Sequence, residues 1–453
     1  MSIRLLNGVH VPHRKHTAEC APVRMTVPAV IRVPMSMNIG KPAVPVVKAG
    51  DCVKVGQLIA EAGGPVSAPI YSGVSGKVKK IESMLMFHGA VCDAIVIESD
   101  GEQTVYEGLQ APELTDFASF ISAVRNSGVV GLGGAGFPTA VKLNVEPERV
   151  EYFCINGAEC EPYITADTRT MLDDAELLVE GFGLLHRFFP KAKIIVGIEN
   201  NKPRCVSRLK ELTAGQSHIS VRAWPALYPQ GGEKVLIHNT TGRVVLEGKL
   251  PIDVGCVVMN TSTLTAVTRY VKTGMPLTEK YVTVDGSAIK NPMNVIAPIG
   301  ASIQSVVEFT GGFSCLPRKV VLGGPMMGVS VTGLDDVVVK NTGAILCFAE
   351  ADAAPAKPTA CIRCGRCVDA CPMNLMPGEL ERACERKDAE ALQKLKVNLC
   401  MECGCCAFVC PAQHRLVESN KLGKAVLNKW LQEKKAEAEK KAAAAAEKEA
   451  ASK

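Results

Sequence analysis

Two runs of cysteine near the C-terminus have the residue type and spacing to hold metal–sulfur clusters. Cys361, Cys364, Cys367 and Cys371, followed by Pro372, form a C-x2-C-x2-C-x3-C-P run. Cys400, Cys403, Cys406 and Cys410, followed by Pro411, repeat it 39 residues later, with Gly365 and Gly404 in register. A [4Fe–4S] cubane takes four thiolates, and in two-cluster ferredoxins the fourth cysteine of each run crosses to the other cluster. The expectation is one cluster on Cys361, Cys364, Cys367 and Cys410 and a second on Cys400, Cys403, Cys406 and Cys371. Such a pair moves electrons singly. The competing reading, two zinc sites, uses C-x2-C pairs but rarely a third cysteine at x2 and a fourth at x3 before a proline. Cys405 falls outside the register and reads as a spare buried thiol; Cys384 reads as a helix residue.

A second set of residues could bind an anion or nucleotide. Gly131, Gly133 and Gly136 match G-x-G-x-x-G literally, but the loop follows the helical pattern Thr115–Asn126 rather than a strand, so the usual dinucleotide fingerprint fails its context test. Backbone N–H groups near Gly131–Val141 still suit phosphate, with Pro138 early in a helix; the plain alternative is a tight glycine turn between two helices. Two further polar clusters follow, Cys154–Pro162 (CINGAECEP) and Tyr228–Lys234 (YPQGGEK). Strand ends in α/β layers are where ligands bind, although each cluster alone reads as an ordinary loop. Nicotinamide electrons travel as a hydride, two at a time, and a cluster takes one; a flavin links the two regimes.

The elements that must position these residues fall into five regions. Residues 1–110, rich in Val, Gly and Pro with apolar runs at Val44–Val47 and Val91–Ile97, read as a small all-β module. Residues 112–275 alternate helices with buried strands at Val150–Ile155, Ile194–Ile198 and Gly255–Asn260, the last leading into a helix Thr263–Lys272, as in an α/β layer. Residues 276–335 read as a compact α+β module, Ala351–Pro358 as a linker, 350–415 as the cluster domain, and 421–453 as a Lys/Ala/Glu-rich helix, solvated or frayed.

Composition narrows the function classes. The chain has 453 residues, 47% of them apolar, which allows several cores. Its net charge is +5, of which the nine lysines and five glutamates from Lys421 onward supply +4, so no broad nucleic-acid surface is expected. Ten of the 19 cysteines lie between Cys361 and Cys410, which fits metal binding in a reducing compartment better than disulfides. No apolar h-region marks the N-terminus and no stretch is long enough to span a membrane, so a chain without its own transmembrane segment is expected. His10, His13 and His16 sit in an extended segment with Pro12, where their spacing does not bring the rings together.

Taken in order, GLGGAGFPTAVKL, INGAECEP, YPQGGEK and GCVVMNTSTLTAV resemble the flavin and NADH site of the complex I flavoprotein subunit. With an N-terminal β module and two ferredoxin runs, the chain from Gly8 to Pro411 resembles the C-subunit family of Rnf-type ion-translocating electron transport complexes. The resemblance implies a multidomain α/β plus β protein: a biotinyl/lipoyl-like barrel, a complex I flavoprotein-like FMN/NADH domain, an SLBB module, a two-cluster ferredoxin-like domain and a C-terminal helix. It implies non-covalent FMN and NAD(H). By matching motif, Gly131, Gly133, Gly134 and Gly136 line the pocket, Phe137 packs on the dinucleotide, and Lys142 faces the FMN phosphate. Asn156 and Glu159 belong to the acidic loop. Glu233 is the acid near flavin and nicotinamide, with Tyr228, Gly231 and Gly232 shaping that wall, and Asn260, Thr261 and Thr263 form the strand end under the flavin. Leu132, Ala158, Cys160 and Met259 depart from the complex I pattern. The hairpin-tip stretch Glu61–Pro65 lacks the lysine that carrier barrels use, so a scaffold role is expected there.

The resemblance further implies partner subunits of a membrane complex, including one with ferredoxin-like clusters, and a peripheral place on the cytoplasmic face of the inner membrane. No general acid or base is required, because hydride transfer depends on positioning. The alternatives are a soluble flavin/iron–sulfur reductase, such as a microcompartment cobalamin reductase, and a non-catalytic cluster-bearing relay subunit.

Overall fold

The computed structural model describes residues 5–354 and 357–451, with side chains described through residue 442. Pro355 and Ala356 of the linker, the first four residues, and Ser452 and Lys453 of the tail lie outside the described residues. The chain forms two compact units: Val11–Ala354, and Leu5–His10 together with the residues that follow the linker.

The first unit opens with the expected all-β module. Val30–Pro34, Cys52–Val53, Gly76–Leu85 and Val91–Ser99 form one sheet, and Val44–Pro45, Leu58–Glu61 and Ile70–Tyr71 a second. All their pairings are antiparallel. Ile31, Val33, Ile95 and Ile97 are buried while Val30 is exposed, the alternation that a sheet with one wet face produces. Gly63, in the Glu61–Pro65 stretch, donates its N–H to Ser67 Oγ at 3.0 Å.

Next comes a four-stranded parallel sheet in the order Ile219–Trp224, Lys193–Glu199, Tyr152–Gly157, Cys256–Asn260. Phe153, Ile155, Ile194, Val196, Ile198 and Val257 are buried, which is why these strands read as unbroken apolar runs. Phe120 stacks on Phe188 at 4.4 Å, and Phe153 meets Phe189 edge-on at 5.0 Å. This core is continuous with Val33, Ile59 and Ile97 of the β module. The chain steps outward from Tyr152–Gly157 to Ile219–Trp224, then returns to lay Cys256–Asn260 on the opposite side. That reversal opens a crevice at the C-terminal strand ends, where open α/β sheets bind ligands.

The third module is a six-stranded mixed sheet that extends past the expected 276–335. Its order is Val23–Arg24, Met293–Pro298, Glu279–Asp285, Ala344–Phe348, Lys319–Leu322, Val329–Val331. Ala344–Phe348 is buried at all five positions and joins Glu279–Asp285 to Lys319–Leu322. A strand covered on both faces has no alternation to announce it, and this one runs straight toward the Ala/Pro linker.

Lys340, 1% exposed, stitches these modules together. Its ammonium donates to Pro69 O at 2.6 Å and Gly128 O at 2.8 Å. Burial pushes its pKa down to about 7.

In the second unit the cysteine runs are a structural repeat as well as a sequence repeat. Gly365 and Gly404 adopt φ of 78° and 84°, a left-handed turn that glycine makes without Cβ strain. Arg363 and Glu402, then Asn374 and Gln413, also share positive φ in register. Short helices Arg366–Asp369 and Cys405–Phe408 follow the turns, and helices Pro377–Glu385 and Leu416–Ala451 follow the fourth cysteines. The last helix corrects the tail reading: it begins at Leu416, just after the expected 350–415 domain and ahead of the expected 421–453 tail, and its first turns are packed. Leu416 and Leu427 are buried, and Leu427 shares a core with Leu380, Leu392 and Val397, against which Trp430 packs. Propensity alone marks the Lys/Ala/Glu stretch as helix but says nothing of the apolar Leu416, Leu427 and Trp430 that anchor its start.

The buried Lys340 predicts a pH signature. Between its folded pKa of about 7 and the ordinary 10.5, the unfolded chain holds more protons than the folded one, so stability contributed at this site rises with pH across that window. Relative to Lys340→Met, the native chain should gain Tm from pH 7 to pH 10, read by thermal denaturation at both ends; parallel curves would refute it.

Candidate functional site

The glycine loop is a closed turn between helices Phe117–Asn126 and Thr139–Leu143. Gly131 donates to Phe137 O at 2.9 Å, and Val130 bridges Pro138. Gly133 and Gly134 are exposed and Phe137 is half-buried. The loop lies against the reversal point of the parallel sheet: a Cβ on Gly133 would come within 2.5 Å of Asn260 Nδ2, whereas one on Gly134 would meet nothing within 4 Å. Neighbouring modules hold its far side. Ile39 N–H donates to Gly136 O at 3.1 Å, and Asn341 Nδ2 to Gly134 O at 2.9 Å.

Asn156 and Asn260 are register partners on adjacent strands. Asn260 Oδ1 accepts from Thr263 N–H at 3.2 Å, capping helix Thr261–Thr273, an arrangement worth about 1 kcal/mol. Its Nδ2 donates to Asp167 at 2.7 Å, and Asp167 also accepts from Ser262 Oγ at 2.6 Å. Thr263 Oγ1 accepts from Leu132 N–H at 2.9 Å. Asn156 Nδ2 donates to Gly231 O at 2.9 Å, fastening the YPQGGEK wall to the sheet. Lys142 pairs with Glu233 at 2.9 Å and donates to Val258 O at 3.2 Å, so two residues matched from separate motifs meet here. Gly232 caps helix Glu233–Thr241. Tyr228 is buried, 1% exposed.

The acidic loop is less open than its sequence suggests. Glu159 is turned inward: its carboxylate accepts from Asp167 N–H at 2.7 Å, Thr168 N–H at 3.3 Å and the Thr168 hydroxyl, at the start of helix Ala166–Asp173. Burial raises its pKa despite Lys15 nearby. Lys15 donates to the carbonyls of Glu159, Glu161 and Ile164, and Lys202 to Ala158 O at 2.6 Å and Glu199 at 3.2 Å. Desolvation brings Lys15 down to about 8. Glu161, pushed up to about 7 by burial, accepts from Met326 N–H at 3.0 Å and Met327 N–H at 2.8 Å. Lys15, Asp167, Lys202 and Glu161 thus build the site although sequence reasoning passed them over. Of the departures from the complex I pattern, Leu132 is buried and engages Thr263 through its backbone, Ala158 and Met259 are buried, and Cys160 lies half-buried beside Gly231.

In the second unit, Cys371, Cys400, Cys403 and Cys406 line one cavity together with Cys405 and Asn420. The lining thus holds one cysteine of the first run and four from the second, among them the four expected as one ligand set. Leu375 N–H reaches Cys371 Sγ at 3.4 Å, and His414 N–H reaches Cys410 Sγ at 3.5 Å, in register. Cys361 and Cys364 are exposed, Cys367 and Cys410 half-buried. Cys405 is buried, as expected for a thiol outside the register. Among the described residues no three His, Cys, Asp or Glu side chains converge on a single-ion site. His13 turns to Asn201 at 3.1 Å and His16 to Asp285 at 3.1 Å.

The chain's own chemistry fits the implied groups. A glycine face open at Gly134, a buried Thr261 hydroxyl without a partner at the head of a 13-residue helix, and the nearby Lys142 suit a flavin phosphate and ring. A cavity whose five cysteines include the four expected ligands suits a cubane. Fold and site together define an FMN- and iron–sulfur-binding flavoprotein. Residues 3–102 match the RnfC barrel sandwich hybrid domain, 124–269 the Nuo51 FMN-binding domain, 281–330 the SLBB domain and 356–375 the 4Fe-4S binding domain. The chain belongs to the family of C subunits of ion-translocating ferredoxin:NAD(+) oxidoreductase complexes. It is 41% identical to the C subunit of the proton-translocating complex of Clostridium ljungdahlii, over 82% of each chain. It is 42% identical to the Na(+)-translocating counterpart of Acetobacterium woodii, over 82% of this chain and 85% of that one. With the C subunit of the ion-translocating oxidoreductase complex of Rhodobacter capsulatus it shares 39% identity, over 94% and 84% respectively. A chain of an NAD+-reducing [NiFe]-hydrogenase superposes with a TM-score of 0.47 at 19% identity, over 68% of this chain and 63% of that one.

The contrast between neighbouring glycines is testable. Gly133→Ala forces its methyl into the Asn260 amide, so FMN affinity should fall at least tenfold, about 1.4 kcal/mol. Gly134→Ala meets open space and should leave the fold intact. Flavin fluorescence titration beside Tm for both variants separates the effects, and a Gly133→Ala chain with native Tm and native FMN affinity would contradict the Gly133–Asn260 packing.

Proposed function

We propose that this chain is the NADH-handling subunit of a membrane-bound Rnf-type complex, passing electrons between NAD(H) and ferredoxin-linked partner subunits in support of ion translocation. The observation that carries the reading is the presence, in one chain, of an FMN-binding domain whose matched motifs converge at a sheet reversal point and of a doubled cysteine run. When bound, FMN exchanges a hydride with nicotinamide and single electrons with iron–sulfur clusters. The chain's own residues do the positioning. Gly131, Gly133, Gly134 and Gly136 bring backbone close to the ligand, and Asn260, Thr261 and Thr263 support it at the strand end. Lys142 and Glu233 pair with each other; the ammonium would hold the FMN phosphate and the carboxylate would stand near flavin and nicotinamide. Asn156 keeps Tyr228, Gly231 and Gly232 in place as the wall, and Phe137 packs on the dinucleotide. Glu159 acts from beneath, holding helix Ala166–Asp173 so that Asp167 can orient Asn260.

Two clusters follow from the crossed sets Cys361, Cys364, Cys367, Cys410 and Cys400, Cys403, Cys406, Cys371. No helix among the described residues is long and apolar enough to cross a membrane, which is compatible with peripheral attachment through partner subunits. We place that attachment on the cytoplasmic face, where NADH is found.

Anaerobic reconstitution with iron, sulfide and FMN, followed by NADH, should bleach the flavin band and bring up reduced-cluster EPR signals. Clusters without FMN uptake or response to NADH would leave a relay role instead. In the same preparation, Cys410→Ser should disturb the signal of one cluster and Cys371→Ser that of the other; if each variant disturbed only the cluster of its own run, ligation would be uncrossed.

A further inference from the structure

Among the differences between the two halves of the cysteine repeat, one lies against a ligand sulfur. Asn420, 1% exposed, lies one turn into helix Leu416–Ala451, and its Nδ2 donates to Cys400 Sγ at 3.4 Å. Its Oδ1 is buried without a partner, so the side chain's hydrogen bonding is directed at the thiolate. The equivalent site in the first half of the repeat, 39 residues earlier, is Glu381. Glu381 has no N–H to offer, and its carboxylate binds His414 Nδ1 at 2.7 Å. Lys424 donates to Cys400 O at 2.6 Å but is paired with Glu402 at 2.7 Å. At the equivalent positions stand Glu385 and Arg363, with the charge signs exchanged.

We propose that Asn420 is a positioning residue that raises the reduction potential of the cluster held by Cys371, Cys400, Cys403 and Cys406. The inference rests on the two-cluster reading above. Reduction adds one negative charge to a cluster. Burial of Cys371, Cys403 and Cys406 disfavours that charge, whereas an N–H dipole aimed at a ligand sulfur favours it. Asn420 offsets the burial, and it serves only one of the two clusters. The more exposed cluster on Cys361, Cys364 and Cys367 has no counterpart at Glu381.

The test is a redox titration of the full reconstituted chain, followed by EPR, for the native protein, Asn420→Leu and Asn420→Ala. Leu keeps the volume and removes the donor; Ala guards against a misfit of the larger side chain. Both variants should lower the reduction equilibrium of one cluster at least tenfold, about 59 mV for one electron, and leave the other where it was. Cys361→Ser, which disturbs the opposite cluster, should leave the Asn420-dependent signal in place. Unchanged potentials in variants that retain both clusters, or equal shifts in both clusters, would overturn the assignment. Iron and sulfide analysis of the native chain tests the underlying reading separately: about eight irons per chain are required for two cubanes, and a lower content would remove that reading whatever the potentials do.

Discussion

The arrangement of the first unit depends on two asparagines held side by side where the parallel sheet changes direction. Asn156 and Asn260 are in register on neighbouring strands. One amide secures the Gly231 wall, while the other caps a helix and presses on the glycine loop through the gap that Gly133 leaves. A side chain in either place that could not both donate and accept would leave a loop or a helix end unfastened, and buried polar groups left unmade cost about 1–3 kcal/mol each. Asp167 steadies this pair from below, and Glu159 anchors the helix that carries Asp167. The site is therefore a chain of hydrogen bonds that begins in the interior and ends at the exposed glycines.

Buried lysines solve the problem of joining three modules around that site. Lys15 and Lys340 each reach backbone carbonyls of neighbouring modules, and Lys202 reaches Ala158 O within the α/β layer. An ammonium has three donors on one atom and can gather several carbonyls at once. The cost is desolvation, which depresses Lys15 and Lys340. Lys280 is depressed in the same way, to about 8, with Asp167 the charge that offsets its burial. Asp167 thus faces the third module as well as Asn260, which links that module electrostatically to the strand end.

These contacts also explain what was legible in the sequence. Strands such as Lys193–Glu199 announce themselves because burial on both faces demands unbroken apolar runs, and the cysteine runs because thiolate spacing is fixed by the cubane. Ala344–Phe348 was hidden beside a linker. Lysines ordinarily read as solvent-facing, and their partners here are carbonyls, which every residue possesses. A lysine following Val337, Val338 and Val339 is a signal that could have flagged Lys340. Asn420 was recoverable only by extending the 39-residue repeat past the cysteines and comparing the flanking helices position by position. Glu159 matched its motif, yet no motif says which way a carboxylate turns; the free N–H groups at the start of helix Ala166–Asp173 decide it.

The cavity shared by Cys371 and Cys400–Cys406 has a consequence for synthesis. Of its cysteines, Cys371 precedes Cys400 by 29 residues, so the ribosome delivers them at different times. At roughly 5–20 residues per second, Cys371 waits about 2–7 s before Cys406 has been made, and longer before Leu416 and Asn420 can close over it. For that interval the nascent chain carries an open set of thiols that dioxygen or peroxide can reach. Iron that arrives before Cys406 has been made meets an incomplete cavity, so the growing polypeptide is better served by a reducing environment.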